Sequence, residues 1–415
     1  MTRSPIVAQA EKAKLASRVV ANASTNVKDD ALGLAAELLE ERVGELVAAN
    51  QVDLARAEEG GASDTALDRL RLTDGRVRSM IEGLLTVSGL TDPVGSVVDG
   101  VVRPNGLRIE RVRVPLGVVG VIYENRPNVT SDAAALCLKA GNSALLRGSA
   151  AAFDSNKVIA RTLRSALSKV GLPEDCVVLA EDTTHEGAVD FMRLDGLVDC
   201  LIPRGGPALI ASVRENATVP TIIDGDGNCH LYVDRSADLD MALEILVDAK
   251  TSRPGVCNAT ETLLVHRHVA ERFLPKARQA LPTVELVGDA ATRSLVPGVA
   301  LASESDFRTE FLDLKLAVAV VDDLAGAIEH IRRYSSGHTE AIVTTDLPTA
   351  ETFTREVDAA AVVVNASTRL VDGGEFGFGA EIGISTQKLH VRGPMGLEAL
   401  TCVKYVVRGD GQVRS

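Results

Sequence analysis

A chain of 415 residues, 46% of them hydrophobic, can bury a large interior and is long enough for two or three domains. Its formal charge of −13 disfavours nucleic-acid binding, and its apolar runs stay below the roughly 20 residues that span a bilayer. Because residues 1–24 are charged rather than signal-like, we expect a soluble, cytoplasmic protein without nucleic-acid or membrane partners.

The six cysteines are scattered along the chain, with no CxxC pair and no histidine at zinc-finger spacing. This distribution favours reduced thiols over a disulfide framework. It also disfavours a structural zinc site, so we expect no bound metal.

The first ninety residues predict packing helices, since residues 31–49 carry apolar side chains at helical spacing with charges between them. Residues 109–114 then alternate apolar and charged side chains, which is the period of a half-exposed strand. Such an edge strand often pairs between subunits, so we expect a homo-oligomer, either a dimer or a tetramer.

From residue 114 to residue 249, short β-branched runs alternate with amphipathic helical segments. This pattern predicts a parallel sheet with helices on both faces. The predicted strands lie near 117–123, 143–147, 176–180, 197–202 and 220–223. The predicted helices lie near 129–140, 153–170, 185–193, 206–216 and 238–250.

A second α/β unit is predicted after Cys257. Its strands are expected near 261–265, 284–287, 316–321, 340–344 and 361–364, and its helices near 268–280, 324–334 and 348–356. The sequence therefore predicts an α/β fold of two domains in series, with Cys257 at their junction. Ligand sites favour such junctions and also the carboxyl ends of parallel strands.

Cys257 is the strongest candidate for a catalytic residue. It lies in a Pro/Gly loop, RPGVCNA, and the Arg253 guanidinium precedes it by four residues. Nearby positive charge favours the thiolate, which is the attacking form. Most free cysteines are small buried hydrophobes, and the other five lie in apolar runs or beside acids.

The buried run PLGVVGVIYENRPN (115–128) ends in a polar turn. Asn125 or Asn128 could donate a hydrogen bond to a developing oxyanion there, and Arg126 could pair with phosphate. Alternatively, both asparagines only shape the turn and cap the next helix. The sequence does not separate these possibilities.

Arg147 and Arg204 each follow a predicted strand and precede glycine. The phosphate-binding patterns GxGxxG and GxxxxGKS are absent, so these arginines are candidates for the cofactor phosphates, although each could be a surface arginine. His338, in SSGHTE, is a candidate acid or base, but a lone loop histidine is more often structural. The glycine-rich segment 373–395 could be a flexible connection.

Four segments together resemble the gamma-glutamyl phosphate reductases, the acyl-phosphate branch of the aldehyde dehydrogenase superfamily. They occur in the family's order and spacing over almost the whole chain. The segments are PLGVVGVIYENRPNVT (115–130), RPGVCNATETLLV (253–265), AIEHIRRYSSGHTEAI (327–342) and EIGISTQKLHVRGPMGLEAL (381–400).

The resemblance implies an aldehyde dehydrogenase-like fold with a Rossmann-like cofactor domain, a catalytic domain and a β-strand extension for oligomerisation. We expect the cofactor domain at residues 1–250, with a strand or hairpin at 100–116 contributing to oligomerisation. The catalytic domain is expected at 251–380. Residues 381–415 are expected to return to the cofactor domain and supply an oligomerisation strand.

The resemblance also implies reduction of the acyl phosphate L-glutamyl 5-phosphate by NADPH, through a cysteine thioester, to L-glutamate 5-semialdehyde and phosphate. This is the second step of proline synthesis from glutamate. By resemblance Cys257 is the nucleophile and Glu310 contacts the nicotinamide ribose. With the candidates above, the expected site residues are Cys257 and Asn128 for catalysis; Arg147, Gly148, Ser149, Pro203, Arg204, Gly205, Gly206 and Glu310 for the cofactor; and Arg126, Arg253 and His338 for the substrate.

Two departures from the wider superfamily agree with this activity. Residues 224–230 read DGDGNCH and lack the glutamate base with which hydrolytic members activate water, so the thioester is expected to survive until hydride arrives. No acid follows Arg147 to bind an unphosphorylated ribose, which favours NADPH over NADH. An acyl-CoA or aldehyde oxidoreductase on the same fold and a catalytically silent scaffold remain the alternatives.

Overall fold

The computed structural model describes residues 4–414. Its helices are α1 (Pro5–Val20), α2 (Thr25–Glu41), α3 (Val43–Glu59), α4 (Asp64–Leu70), α5 (Asp74–Gly89), α6 (Asn128–Lys139), α7 (Phe153–Lys169), α8 (His185–Met192), α9 (Pro207–Asn216), α10 (Leu239–Thr251), α11 (Arg267–Ala280), α12 (Ala290–Leu295), α13 (Leu324–Tyr334) and α14 (Leu347–Glu356).

Its strands are β1 (Val97–Val102), β2 (Arg108–Pro115), β3 (Val118–Tyr123), β4 (Ser143–Arg147), β5 (Val177–Leu179), β6 (Cys200–Arg204), β7 (Cys229–Val233), β8 (Thr260–His266), β9 (Glu285–Gly288), β10 (Ala300–Leu301), β11 (Lys315–Val321), β12 (Thr339–Val343), β13 (Ala361–Val364), β14 (Ile384–Ser385), β15 (Gly393–Pro394) and β16 (Thr401–Arg408). Within residues 4–414, no helix combines the length and the apolar character that crossing a bilayer requires.

The chain forms two compact units. Unit 1 contains the chain up to Ile223, together with Phe378–Gly383 and the segment from Met395 onward. Unit 2 contains Asp224–Gly377 and Ile384–Pro394.

Unit 1 holds a four-stranded parallel sheet in the order β5-β4-β3-β6 and a three-stranded antiparallel sheet in the order β1-β2-β16. β3 is buried along its whole length, as expected for a central strand covered on both faces. Helices α1, α8 and α9 pack on this sheet through a core that includes Ala10, Phe191 and Val213.

Unit 2 holds a seven-stranded parallel sheet in the order β10-β9-β11-β8-β7-β12-β13. One core packs α10 and α11 on the sheet, and a second packs α13 and α14 on it. Four helices of this unit begin at an aspartate whose carboxylate accepts N–H groups of the first turn, namely Asp238, Asp289, Asp323 and Asp346. These N-caps explain where the helical pattern begins after each strand.

The contacts divide the chain at residue 224, whereas the sequence placed the first boundary at residue 250. The difference arises because β7 pairs with β8 and β12, and α10 packs on the same sheet. Residues 381–415 were expected to return to the first domain as one segment, but residues 384–394 belong to unit 2.

The predicted α/β class and most predicted elements are confirmed, with two corrections. The strand predicted at 220–223 is only an isolated bridge between Leu201 and Thr221, where Pro220 has no N–H to donate to a ladder. Conversely, β7 lies in the centre of its sheet but was not predicted, because CHLYV is short and carries a histidine and a cysteine.

Candidate active site

The strands β3, β4 and β6 end at one edge of the unit 1 sheet. Ile122 of β3 is in register with Arg147 of β4 and with Pro203 of β6. The loops that follow these strands therefore lie side by side, and they carry the predicted residues 126–128, 147–149 and 204–206. This is the carboxyl edge at which α/β sheets bind ligands.

Hydrogen bonds join these loops to one another. Ser149 Oγ donates to Asn125 Oδ1 over 2.7 Å, and the Gly206 N–H donates to Glu124 Oε2 over 3.0 Å. A side chain at Gly148 would overlap Asn156. The close approach of backbone to side chains thus explains a glycine directly after Arg147.

Arg147 is only 7% exposed, and its Nη2 donates to the Thr184 carbonyl over 2.6 Å. Its Nε is buried and has no hydrogen-bond partner among the described residues. Burial lowers the pKa of the guanidinium, and the nearby Asp182 opposes that shift. Arg147 is therefore not a freely exposed surface arginine, and it keeps one donor for a further acceptor.

Asn128 is the first residue of α6, and its Nδ2 donates to Asp132 Oδ2 over 2.9 Å. Asn125 accepts the Ser149 hydroxyl, which is the turn-shaping role considered as an alternative for it. Arg126, between the two asparagines, is exposed.

In unit 2, Cys257 lies in the loop between α10 and β8, as the sequence predicted, and it is partly exposed. Cys402, on β16, is exposed. Burial raises the pKa of the four remaining thiols, which are Cys137, Cys176, Cys200 and Cys229. A buried thiol with a raised pKa is a poor nucleophile. Of the two thiols that are at least partly exposed, Cys257 is the one that lies in a loop, and it therefore remains the candidate nucleophile.

The Cys257 backbone is fixed by its neighbours. Gly227 packs so closely on it that a Cβ at Gly227 would overlap the Cys257 carbonyl. Cys229 Sγ lies 3.2 Å from the same carbonyl oxygen. The next residue, Asn258, donates to the Val371 carbonyl over 3.0 Å and accepts from Arg369.

Glu310 contacts the same glycine. Its Oε1 accepts the Gly227 N–H over 2.8 Å. Burial raises the pKa of Glu310, and the hydrogen bond from Gly227 opposes that rise. The predicted nucleophile Cys257 and the predicted ribose contact Glu310 are thus brought together by a residue that the sequence did not single out.

The other two predicted residues of unit 2 differ in exposure. Arg253 is exposed in the Cys257 loop. His338 is fully buried immediately before β12, with Nδ1 2.8 Å from Thr339 Oγ1 and 3.7 Å from Cys229 Sγ. Because burial lowers the pKa of His338 to about 4, its imidazole is neutral near pH 7.

This burial makes His338 a source of acid sensitivity. A folded pKa below the unfolded value of 6.5 means that its stabilising contribution is complete above pH 6.5 and is lost as pH falls towards 4. Between about pH 7 and pH 5 we expect His338 to remove about 2 kcal/mol from the free energy of unfolding. Denaturant titrations of the wild type and His338→Asn at both pH values measure this. An equal pH-dependent loss in both proteins would contradict it.

The unit 2 residues gather at the amino edge of their sheet, not at the carboxyl edge. Residues 224–228 precede β7, Cys257 precedes β8, Glu310 precedes β11 and His338 precedes β12. Cys257 also lies inside unit 2, and not where the chain passes from one unit to the other as the sequence suggested. The second correction arises because β7 lies in the second sheet and α10 packs on that sheet.

Sequence reasoning missed Gly227, Lys250 and Glu261. Lys250 Nζ and Glu261 Oε2 form a fully buried ion pair at 2.6 Å. The signal available for Glu261 was a charge inside the otherwise apolar and hydroxylated run TETLLV, since buried charges are rare unless paired. Gly227 gave no such signal, because its role depends on a neighbour distant in sequence.

Comparison with known proteins gives a consistent result. Residues 1–309 match the model of the Aldehyde dehydrogenase family. The gamma-glutamyl phosphate reductase of Carboxydothermus hydrogenoformans is 55% identical over 407 residues, covering 98% of both chains. That of Thermobifida fusca is 53% identical, covering 98% of this chain and 97% of the relative.

Solved structures are similar as well. The crystal structure of gamma-glutamyl phosphate reductase from Thermotoga maritima matches with a TM-score of 0.97 at 49% identity, covering 99% of this chain and 100% of that one. An acetylating aldehyde dehydrogenase from Geobacillus thermoglucosidasius matches with a TM-score of 0.69 at 19% identity, covering 98% of this chain and 97% of the other. The second likeness concerns the fold alone.

Proposed function

This chain belongs to the aldehyde dehydrogenase family, as one of its gamma-glutamyl phosphate reductases, and from that membership we propose that it reduces L-glutamyl 5-phosphate to L-glutamate 5-semialdehyde and phosphate. The reaction uses a nicotinamide cofactor and is the second step of proline synthesis from glutamate. The observation that carries the proposal is the Cys257 loop: a partly exposed thiol on a fixed backbone, sharing Gly227 with the carboxylate of Glu310.

Cys257 acts as the nucleophile in this proposal. Its thiolate attacks the acyl carbon, the bond to phosphate breaks, and phosphate leaves with the electron pair, so that an acyl thioester remains on the sulfur. Backbone N–H groups of the Cys257 loop stabilise the oxyanion of this step. Arg126 and Arg253 are exposed cations suited to the charged groups of the substrate.

The residues of unit 1 fit a phosphorylated dinucleotide. Arg147 has a buried Nε without a partner among the described residues, and Gly205 and Gly206 lead into the N-terminus of α9. We therefore assign 147–149 and 203–206 to the cofactor and prefer NADPH, whose extra phosphate would pair with Arg147. When bound, NADPH supplies the hydride that reduces the thioester. Glu310, whose carboxylate accepts the Gly227 N–H, would hold the cofactor ribose.

The lack of a glutamate in residues 224–230 favours reduction over hydrolysis. In residues 224–230 the carboxylates are aspartates, and Asp224 Oδ1 accepts the Ile384 N–H over 2.8 Å. A carboxylate oxygen engaged in this way is less available to activate water. The acyl thioester on Cys257 therefore persists until it is reduced.

The direct test is the reverse reaction, in which glutamate semialdehyde is oxidised in the presence of inorganic phosphate while NADPH absorbance is followed. We expect phosphate-dependent turnover, with kcat/KM for NADP exceeding that for NAD by about tenfold or more, as one charge-assisted hydrogen bond to a phosphate would give. Turnover that requires coenzyme A instead of phosphate would contradict the proposed substrate. Equal use of NAD would contradict only the cofactor preference.

A homo-oligomer in the cytoplasm completes the proposal. Six cysteines that form no disulfide suit a reducing compartment such as the cytoplasm. The antiparallel sheet of unit 1 exposes Val98, Val101 and Val102 on its edge strand β1, and such an edge is suited to pairing with another copy. Light scattering that gave the mass of a single 43.7 kDa chain would contradict the oligomer.

A further inference from the structure

The loop that carries Cys257 is closed at its base by a buried ion pair. Lys250 lies in the last turn of α10, before the loop, and Glu261 lies at the start of β8, after it. Both side chains are fully buried, and Lys250 Nζ lies 2.6 Å from Glu261 Oε2. The pair therefore fixes the two ends of the loop relative to each other.

The second oxygen of Glu261 reaches the segment that contains Glu310. Glu261 Oε1 accepts the Leu312 N–H over 3.1 Å. Leu312 has a φ of 54°, a left-handed conformation that is unfavourable for a residue with a side chain. Its hydrogen bond to Glu261 supports that conformation two residues after Glu310.

The Cys257 loop and the segment that contains Glu310 are connected by further contacts. Glu310 accepts the Gly227 N–H, and Gly227 packs on the Cys257 backbone. The Leu312 carbonyl oxygen also lies within 3.7 Å of a Cβ built on Gly255, in the Cys257 loop. Cys257 and Glu310 are thus held in one network whose buried centre is Glu261.

Stability alone gives no reason for a charged pair at this position. Burial raises the pKa of Glu261 to about 7 and lowers that of Lys250, because the mutual attraction of the two groups offsets only part of their desolvation cost. Replacing a buried ion pair by apolar side chains is often neutral for stability. An apolar pair would leave the Leu312 N–H without its acceptor.

We propose that Lys250 and Glu261 are positioning residues that set the relative placement of the nucleophile Cys257 and the cofactor contact Glu310. This inference rests on the function proposed above, because it concerns the same site. Neither side chain touches substrate or cofactor in this role. The pair acts through the Cys257 loop and through the Leu312 N–H.

Two double variants separate positioning from folding. Lys250→Met with Glu261→Leu removes both charges and the acceptor, whereas Lys250→Met with Glu261→Gln keeps a neutral acceptor for the Leu312 N–H. We expect the leucine variant to raise KM for NADPH about tenfold and lower kcat about 100-fold, which is the cost of misplacing catalytic groups by about 1 Å. The glutamine variant should recover KM to within about threefold of wild type. Arg267→Ala, which removes an exposed ion pair with Asp322 in the same unit, should leave both constants unchanged.

A second readout needs no substrate. Iodoacetamide labelling of the free enzyme, followed by peptide mass spectrometry, compares Cys257 with the exposed Cys402 as an internal reference. We expect the leucine variant to lower the labelling rate of Cys257 relative to that of Cys402 by about fivefold or more.

Unchanged kinetics and labelling in a folded leucine variant would overturn the inference. If that variant does not fold, a folded glutamine variant whose KM for NADPH rose tenfold would overturn it, because glutamine keeps the acceptor for the Leu312 N–H. Wild-type enzyme without phosphate-dependent turnover would instead refute the proposed function.

Discussion

Cys257→Ala is expected to bind NADPH as the wild type does and to lose turnover by a factor of about 10⁴ or more, the range seen when a catalytic nucleophile is removed. The loss is large because no other thiol in the described part of unit 2 can replace it. Cys229 is fully buried, its Sγ contacts the Cys257 carbonyl, and burial raises its pKa well above the ordinary value. Fluorescence titration measures whether NADPH binding is retained, and NADPH absorbance measures the loss of turnover.

A single turnover without cofactor tests the covalent step itself. Wild-type enzyme mixed with L-glutamyl 5-phosphate generated in situ should release about one phosphate per active site and carry an acylated Cys257, because thioester formation precedes reduction. The alanine variant should release none above background. Cys402→Ala is the matched control, since Cys402 is exposed on β16, and it should behave as wild type. Substantial turnover by Cys257→Ala would remove the nucleophile assignment.

Local patterns in the sequence were sufficient for most of the fold. The amphipathic period predicted α7, α9 and α13 to within a residue or two of their ends, and Asp323 marks the start of α13 because its carboxylate accepts the Gly326 N–H. Runs rich in β-branched residues predicted β3 and β13, and a short buried apolar run predicted β4. The α/β class and the aldehyde dehydrogenase-like fold are both confirmed.

The division into units was harder to predict because it depends on strand pairing. A central parallel strand and a short buried helix segment have the same apolar composition, so CHLYV at 229–233 gave no clear period. Without β7, the segment 224–251 had no partner in the second sheet, and the boundary was placed too late. That single omission also moved Cys257 from the interior of unit 2 to an apparent junction.

The candidate site, like the fold, could be predicted from the sequence only in part. Cys257, the Arg147 loop and the Arg204 loop could be predicted because loop chemistry next to a strand is visible in a few consecutive residues. The contacts of Gly227 and Glu261 could not, since each depends on a residue about thirty to eighty positions away or on the path of a loop. A sequence shows that Glu261 carries a charge, but only the fold shows that Leu312 uses it.

Gly227→Ala is the smallest change expected to disable the site. A Cβ at Gly227 would overlap the Cys257 carbonyl, a backbone group that cannot rotate away, so the Cys257 loop must shift. The Gly227 N–H also holds Glu310, and the same shift would disturb that hydrogen bond. Because a displacement of about 1 Å costs about 100-fold in rate, we expect kcat to fall by at least that factor. KM for NADPH should rise as well, because Glu310 moves with the glycine.

Gly255→Ala provides the matched control within the Cys257 loop. A Cβ at Gly255 would meet only the Leu312 carbonyl oxygen, at the ordinary contact distance of 3.7 Å, so kcat should stay within about threefold of wild type. Circular dichroism and thermal unfolding of both variants establish that the fold is retained, since a change in one loop should leave both sheets intact. If folded Gly227→Ala kept wild-type kcat, the close packing of Gly227 on Cys257 would not be what positions the nucleophile, and the network that joins Cys257 to Glu310 would have no catalytic role.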